Sequence, residues 1–442
     1  MNLEKIRENT LKTILRFSIP SIIAMVLTSL ITVVDGFFIG NYIGADGIAA
    51  VNLGLPIIYL FLSIGLMISV GGAAIAGISF GGGNLSECTL VFRQTLATTI
   101  AFSVLTGLLV LAFFTPMLDI LGAEGQVREY FKTYYGILLP ELIIMVVNSS
   151  FGMFIRGEGS PAFYMKINII SVVMNLILDY VFAGILRFGI AGIAIASLLS
   201  ALVSLLLILY FFCKKACIYH LGTFTFSLQI LKETLANGSS EFIGEMSIGI
   251  AMFAYNFVIM KRIGVDGVTA FTIVGYVSYV FSMIVVGFGQ GASPLISFCF
   301  GAKEVMLARK IRQRTNGLVF AIGVMIFLLL TVLSGWYSHL FVKDAAVSAM
   351  VRSGMVIFMV SFFFSGINAI TSFYFTSIGR ALPSAVISLS RGLLVLLVCI
   401  FVLPAYLGMT GVWMAAPVTE GVTFIISISY IKVEHYKCVD NG

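Results

Sequence analysis

Ile43-Gly44-Ala45-Asp46-Gly47-Ile48-Ala49-Ala50 returns 220 residues later as Ile263-Gly264-Val265-Asp266-Gly267-Val268-Thr269-Ala270. The offset persists on both sides of this stretch. Phe80-Gly81 matches Phe300-Gly301 at 220, Arg93-Gln94 matches Arg312-Gln313 at 219, Pro161 matches Pro383 at 222, and Ala191-Gly192-Ile193 matches Thr410-Gly411-Val412 at 219. A near-constant offset across half of a 442-residue chain marks an internal duplication.

The duplicated unit belongs in a membrane. The chain is 60% hydrophobic and 10% charged, with mean hydropathy +1.08. Soluble domains carry about 25% charged residues, so too few charges are present to cover a water-exposed surface. That excludes a soluble enzyme, a disordered chain and a nucleic-acid binder. The net charge of +6 is spread between apolar runs and forms no basic patch. Cysteines at 88, 213, 217, 299, 399 and 438 follow no disulfide pattern.

A bilayer core needs about 20 apolar residues per helix. Twelve runs qualify: 14–39, 50–79, 93–116, 131–154, 164–186, 190–212, 229–260, 268–298, 315–341, 350–377, 384–404 and 409–431. The first is too long for a signal peptide and reads as a span. The run 50–79 exceeds one membrane thickness, and Pro56 and Gly71-Gly72 are its expected bend points. With the N-terminus inside, nineteen of twenty-six Lys and Arg fall on the inner side. Both termini are thus expected in the cytoplasm. Six spans per half is an even number, so both halves insert with one orientation, a transporter architecture with a site near mid-membrane. The expectation is an all-α integral membrane protein of two six-helix lobes, residues 1–212 and 228–442, joined by an inner loop, 213–227.

Ionisable residues in lipid cost several kcal/mol and mark function or tight pairing. Thr28, Thr32 and Asp35 share one face of span 1, and Ser171, Asn175 and Asp179 share one face of span 5. Ser197, Ser200 and Ser204 line span 6. Two carboxylates at similar depth among hydroxyl and amide oxygens could hold a hard cation. Burial and repulsion equally favour a proton on such a pair. Fixing helix packing is the alternative role for them, but that role could be filled without charge. In the second half, Tyr255 stands where Asp35 would map, while Glu241 and Glu245 lie one turn apart on span 7. With Gln290 on span 8, and Asn368 in the stripe Ser361, Ser365, Asn368, Ser372 on span 10, these acids could receive a cationic substrate. Arg391 is expected to snorkel to the inner surface, and Glu420 has no evident partner. Gly287-x-Gly289-x-Gly291 comes after no strand and is not a dinucleotide motif. Cys213, Cys217 and His220 lack a fourth zinc ligand. No phosphate-binding loop is present.

Several of these segments resemble the multidrug and toxic compound extrusion (MATE) transporters, in their bacterial branch, over roughly residues 10–430. They are Ser18-Ile19-Pro20; Val34-Asp35-Gly36-Phe37-Phe38-Ile39-Gly40; Arg156-Gly157-Glu158-Gly159-Ser160-Pro161; Asn175-Leu176-Ile177-Leu178-Asp179; and Gly192-Ile193-Ala194-Ile195-Ala196-Ser197. The resemblance implies two lobes around a cleft that opens alternately to each side of a bacterial plasma membrane. It implies export of organic cations and amphipathic toxins, driven by inward Na⁺ or H⁺, with no other cofactor and no enzymatic step; twelve spans could act alone, as a monomer. It assigns the cation site to Asp35, Asn175 and Asp179, with Ser197 where many relatives have Thr, and an acidic role on span 7 to Glu241 or Glu245. Lipid-linked oligosaccharide flippases share the general shape. They call for a cationic cleft, whereas the charges within these spans are chiefly acidic.

Overall fold

A computed structural model describes residues 2–120 and 122–439, with side chains through residue 435; Cys438 lies outside them. Among the described residues every regular element is a helix. Twelve cross the bundle: α1 (Thr10–Tyr42), α2 (Leu55–Gly81), α3 (Leu85–Ala112), α4 (Gly125–Gly157), α5 (Pro161–Ile185), α6 (Gly189–Lys214), α7 (Leu228–Arg262), α8 (Val265–Gly301), α9 (Val305–Phe341), α10 (Ala345–Ser377), α11 (381–407) and α12 (409–439). The last two form one uninterrupted stretch of helix except at Gly408, whose φ of 55° and ψ of −133° break it. Polar side chains start several helices by satisfying free N–H groups. Asn84 accepts from Glu87 N at 3.1 Å, and Asp344 accepts from Ala346 N at 2.8 Å and Val347 N at 3.0 Å.

The overlong run 50–79 is divided at Gly54, one residue before α2 and two before Pro56. The short helix Ala45–Leu53 precedes the break. Gly71 and Gly72, expected to bend, lie inside continuous helix and serve close packing instead.

The duplication is written in the backbone. Gly44 and Gly264 both have φ 98° and ψ −164° just before the repeated segment. Positive φ recurs at Gly83 and Lys303, at Gly159 and Gly379, and at Gly189 and Gly408, always 219 or 220 residues apart. Lys303 adopts a conformation that normally favours glycine. Asn148 Nδ2 donates to the Ala201 carbonyl at 3.0 Å, and Asn368 Nδ2 donates to the Glu420 carbonyl at 2.9 Å. The same bridge thus ties α4 to α6 and α10 to α12.

Two six-helix lobes result, α1–α6 and α7–α12. They meet closely in the half of the bundle that carries most of the Lys and Arg, called here the basic half. A Cβ on Gly71, Gly81, Gly238, Gly287, Gly291 or Gly301 would come within 3.0 Å of the other lobe's backbone. Gly71 faces Thr234 and Gly238, while its repeat mate Gly291 faces Phe17 and Ser18. Gly81 abuts Phe298 and Gly301 abuts Ile78. All six glycines lie in the basic half of their helices, as small residues do where membrane helices approach closely.

The first helix of each lobe reaches across this seam. Ile14 and Phe17 of α1 share a core with Leu295, Ile311 and Tyr374, and Arg7 pairs with Glu304 at 2.6 Å. Reciprocally, Ile230 of α7 packs on the cluster of Phe92, Phe154 and Tyr219. The segment between α6 and α7 is strapped to the first lobe. Glu158 accepts from the backbone N–H of Cys217, Ile218 and Tyr219 at 3.2, 2.8 and 2.7 Å. Arg93 donates to the carbonyls of His220 and Thr223, and Gln94 exchanges two hydrogen bonds with the Ser227 backbone.

Candidate functional site

Asp35 on α1, Asn175 and Asp179 on α5 and Ser197 on α6 converge inside the first lobe. Asp179 and Asn175 are fully buried, Ser197 is 4% exposed and Asp35 is 8% exposed. Asp179 is the last α-helical residue of α5, and a π-helical turn, Tyr180–Ile185, comes directly after it. Such turns insert an extra residue and re-aim side chains, often at functional positions. Asn175 Nδ2 donates to Ser197 Oγ at 3.3 Å, and Ser197 Oγ donates to Asp35 Oδ2 at 3.1 Å. Both donors thus point along one path toward Asp35.

The remaining oxygens are left over. Asp35 Oδ1, both carboxylate oxygens of Asp179 and Asn175 Oδ1 are buried without a hydrogen-bond partner from the protein. The two carboxylates interact with one another, and neither takes part in an ion pair within the described residues. Buried acids without a basic partner are costly as anions. The chemistry of this donor set suits a small cation: a proton shared between the acids, or an oxygen-ligated metal ion. Among the described residues no three of His, Cys, Asp and Glu are grouped for metal binding, so such an ion would rely on the amide and hydroxyl oxygens as well.

The expected cleft residues separate into two groups. Glu241 and Glu245 lie part-buried on α7, and Glu245 is within electrostatic reach of Tyr59 on α2 and Tyr279 on α8. Those tyrosines are repeat mates, 220 residues apart, one from each lobe. Asn368 does not join them. Gln290 is 4% exposed on α8, next to Gly291, which abuts Ser18 of the other lobe. Asn368 is fully buried inside the second lobe, with its amide donating to Glu420 and its oxygen accepting from Ser427. All these bonds are spent on α12, so of the expected places, second lobe and cleft, Asn368 takes the interior of the second lobe.

A family model described as MatE matches the chain twice, over residues 20–181 and 241–401. The chain belongs to the MatE family. The two matches fall one in each lobe, at the spacing of the repeat. The multidrug export protein MepA of Staphylococcus aureus is 22% identical over 407 residues, covering 91% of this chain and 89% of that protein. Among solved structures, a MATE in the bent conformation superposes with TM-score 0.91 at 23% identity, covering 98% of this chain and 97% of the other. An outward-facing multidrug resistance MATE family transporter of the MOP superfamily superposes with TM-score 0.90 at 24% identity, covering 96% and 95%. These likenesses fix the fold: that of the MATE structures, a multi-pass helical bundle of two repeated lobes.

Within that MatE fold, three groups escaped the sequence reading. Glu141 on α4 is within electrostatic reach of Asp35, and Tyr134 is within reach of Asp35, Glu141 and Asp179. Glu141 is an acid within a span, so the cost of charge in lipid is signal enough to find it. Tyr59 and Tyr279 are discoverable as mates in the repeat. The third group reverses an expectation. Arg391 does not snorkel to the surface. It sits in a π-helical turn, Ser390–Leu394, and pairs with Glu420 through Nη2 at 2.8 Å and Nε at 3.2 Å. Glu420 therefore has a partner after all.

Proposed function

We propose that this MatE protein is a secondary antiporter that exports cationic or amphipathic organic compounds by alternating access, driven by inward H⁺ or Na⁺. The observation that carries this reading is the buried Asp35–Asp179 pair, three of whose four oxygens have no protein donor. A site built that way is completed by a cation that arrives and leaves. An ion can drive a conformational cycle only through different affinity for its two states. Parting of the glycine seam would supply the second state, in which the strapped segment 213–227 travels with the first lobe.

The cleft supports the substrate class. Glu241 and Glu245 offer carboxyl groups on α7, and Tyr59 and Tyr279 bring one aromatic side chain from each lobe within electrostatic reach of Glu245, which together suit organic cations. The name of the MepA relative, a multidrug export protein, agrees with that class. A lipid-linked oligosaccharide would instead call for free basic groups in the cleft, and Arg391 is already paired. In this reading the protein works as a monomer in a bacterial plasma membrane. Both termini face the cytoplasm, the lobes comprise residues 1–212 and 228–442, and no catalytic residue is required.

The test is efflux of a cationic dye from cells expressing Asp35→Asn at wild-type level. The substitution keeps the side chain's shape and removes its charge. Loss of gradient-driven efflux is expected; full efflux would remove Asp35 from the mechanism.

A further inference from the structure

The two lobes share a scaffold and differ in what their acids hold. In the first lobe Asn148 bridges to the carbonyl of Ala201. In the second, Asn368 bridges to the carbonyl of Glu420, so a carboxylate stands where its mate has a methyl group. That carboxylate is satisfied on both oxygens. Oε1 accepts from Arg391 Nε and Nη2 at 3.2 and 2.8 Å, and Oε2 accepts from Asn368 Nδ2 at 2.7 Å. Arg391 Nη2 also reaches the Ser365 carbonyl at 3.4 Å, and Ser427 Oγ donates to Asn368 Oδ1 at 2.9 Å.

The helical register explains how the arginine arrives there. The fifth helix of each lobe contains a π-helical turn beside its charged residue: Asp179 precedes Tyr180–Ile185, and Arg391 lies within Ser390–Leu394. The extra residue of such a turn rotates the side chains beyond it about the helix axis. In the second lobe it directs a guanidinium inward, onto Glu420. Gly392 makes this possible, because its missing Cβ leaves room for Ser247 of α7. Arg391 is thereby also placed within electrostatic reach of Glu241.

We propose that Arg391 is a tethered cation that permanently occupies the acidic site of the second lobe, so that the mobile coupling ion is carried by the first lobe alone. The guanidinium does at Glu420 what a proton or metal ion does at Asp35 and Asp179, but it cannot leave. This inference rests on the antiporter reading for its meaning and on the Arg391–Glu420–Asn368 geometry for its substance.

The test labels purified full-length protein with dicyclohexylcarbodiimide, which attacks protonated carboxyls in apolar surroundings, and maps adducts by peptide mass spectrometry. In wild type, adducts are expected on Asp35 or Asp179 and none on Glu420. In Arg391→Met, Glu420 becomes labelled, and Arg391→Lys restores its protection. Labelling of Glu420 in wild type to the level of Asp179 overturns the proposal even if the Arg391 variants do not fold. So does an unlabelled Glu420 in a folded Arg391→Met protein. Failure of both first-lobe acids to react would count against the first-lobe site while leaving the Glu420 comparison readable.

A second measurement separates the tethered cation from a coupling acid. Removing pair and charge together with Arg391→Met and Glu420→Gln is expected to keep gradient-driven efflux within about twofold, as replacement of whole buried pairs often allows. A loss of ion coupling as complete as that of Asp35→Asn, in a folded protein, would place a mobile ion at Glu420 and refute the assignment.

Discussion

Gly238→Ala should drive the lobes apart at the basic half. In the structure a Cβ on Gly238 would collide with the backbone of Met67 in the opposite lobe, within 3.0 Å of its carbonyl oxygen, carbonyl carbon and Cα. Backbone in two packed helices cannot swing aside, so the seam must open or strain. Overpacking of this kind costs about 1–3 kcal/mol. Alanine also raises helix propensity by up to about 1 kcal/mol, but that gain applies to seam-closed and seam-open states alike and cancels between them. The clash does not cancel, because it exists only while the seam is closed. The open population should therefore rise about 5- to 150-fold relative to closed. Gly72→Ala is the control. Its Cβ would strike Thr95 of the same lobe, a strain present in both states. The assay is maleimide alkylation of Ser293→Cys, a buried position on α8 beside the seam, in a cysteine-depleted protein held in nanodiscs. Faster alkylation with Gly238→Ala and an unchanged rate with Gly72→Ala are expected. Equal rates in all three proteins would refute a seam that opens, and equal acceleration by both alanines would show general loosening.

Three further outcomes rest on particular contacts. Ser197→Ala removes the hydroxyl that donates to Asp35 and should weaken cation-dependent efflux by about 10- to 150-fold, the worth of a hydrogen bond to a charged group, while Ser197→Thr keeps it; transport assays across ion concentration decide. Tyr279→Ala should raise the half-saturating concentration of a cationic dye by about 2- to 30-fold, the range for one aromatic face against a cation, and leave a neutral substrate less affected. Glu158→Gln removes the negative charge that three backbone N–H groups share and should speed limited proteolysis between residues 213 and 227, with first-lobe cleavage elsewhere unchanged.

Much of the fold is legible in the sequence because membrane physics is strict. Each apolar run of sufficient length forms a helix, and the 220-residue offset reappears as matched backbone conformations at Gly44 and Gly264. Asp35, Asn175, Asp179 and Ser197 meet because an i, i+4 stripe on each helix fixes a face. Inferences that assume an unbroken 3.6-residue period fail. The π turn at Ser390–Leu394 carries Arg391 inward, and with it the partnership of Glu420 and the fate of Asn368. Gly71-Gly72 suggests a bend because sequence does not separate glycine that bends from glycine that lets another backbone approach. Glu141 carries the same signal as the other acids within spans; Tyr59 and Tyr279 become meaningful only once the walls that face each other are known.

The central claim is that Asp35 and Asp179 hold an ion whose gradient drives export. Its most direct test is flux of a labelled organic cation into inside-out proteoliposomes under an imposed Na⁺ or H⁺ gradient, wild type against Asp35→Asn/Asp179→Asn. Wild-type flux that tracks one of these gradients, with loss of that dependence in the double variant, is the predicted result. Undiminished gradient-driven flux in the folded double variant would contradict the account.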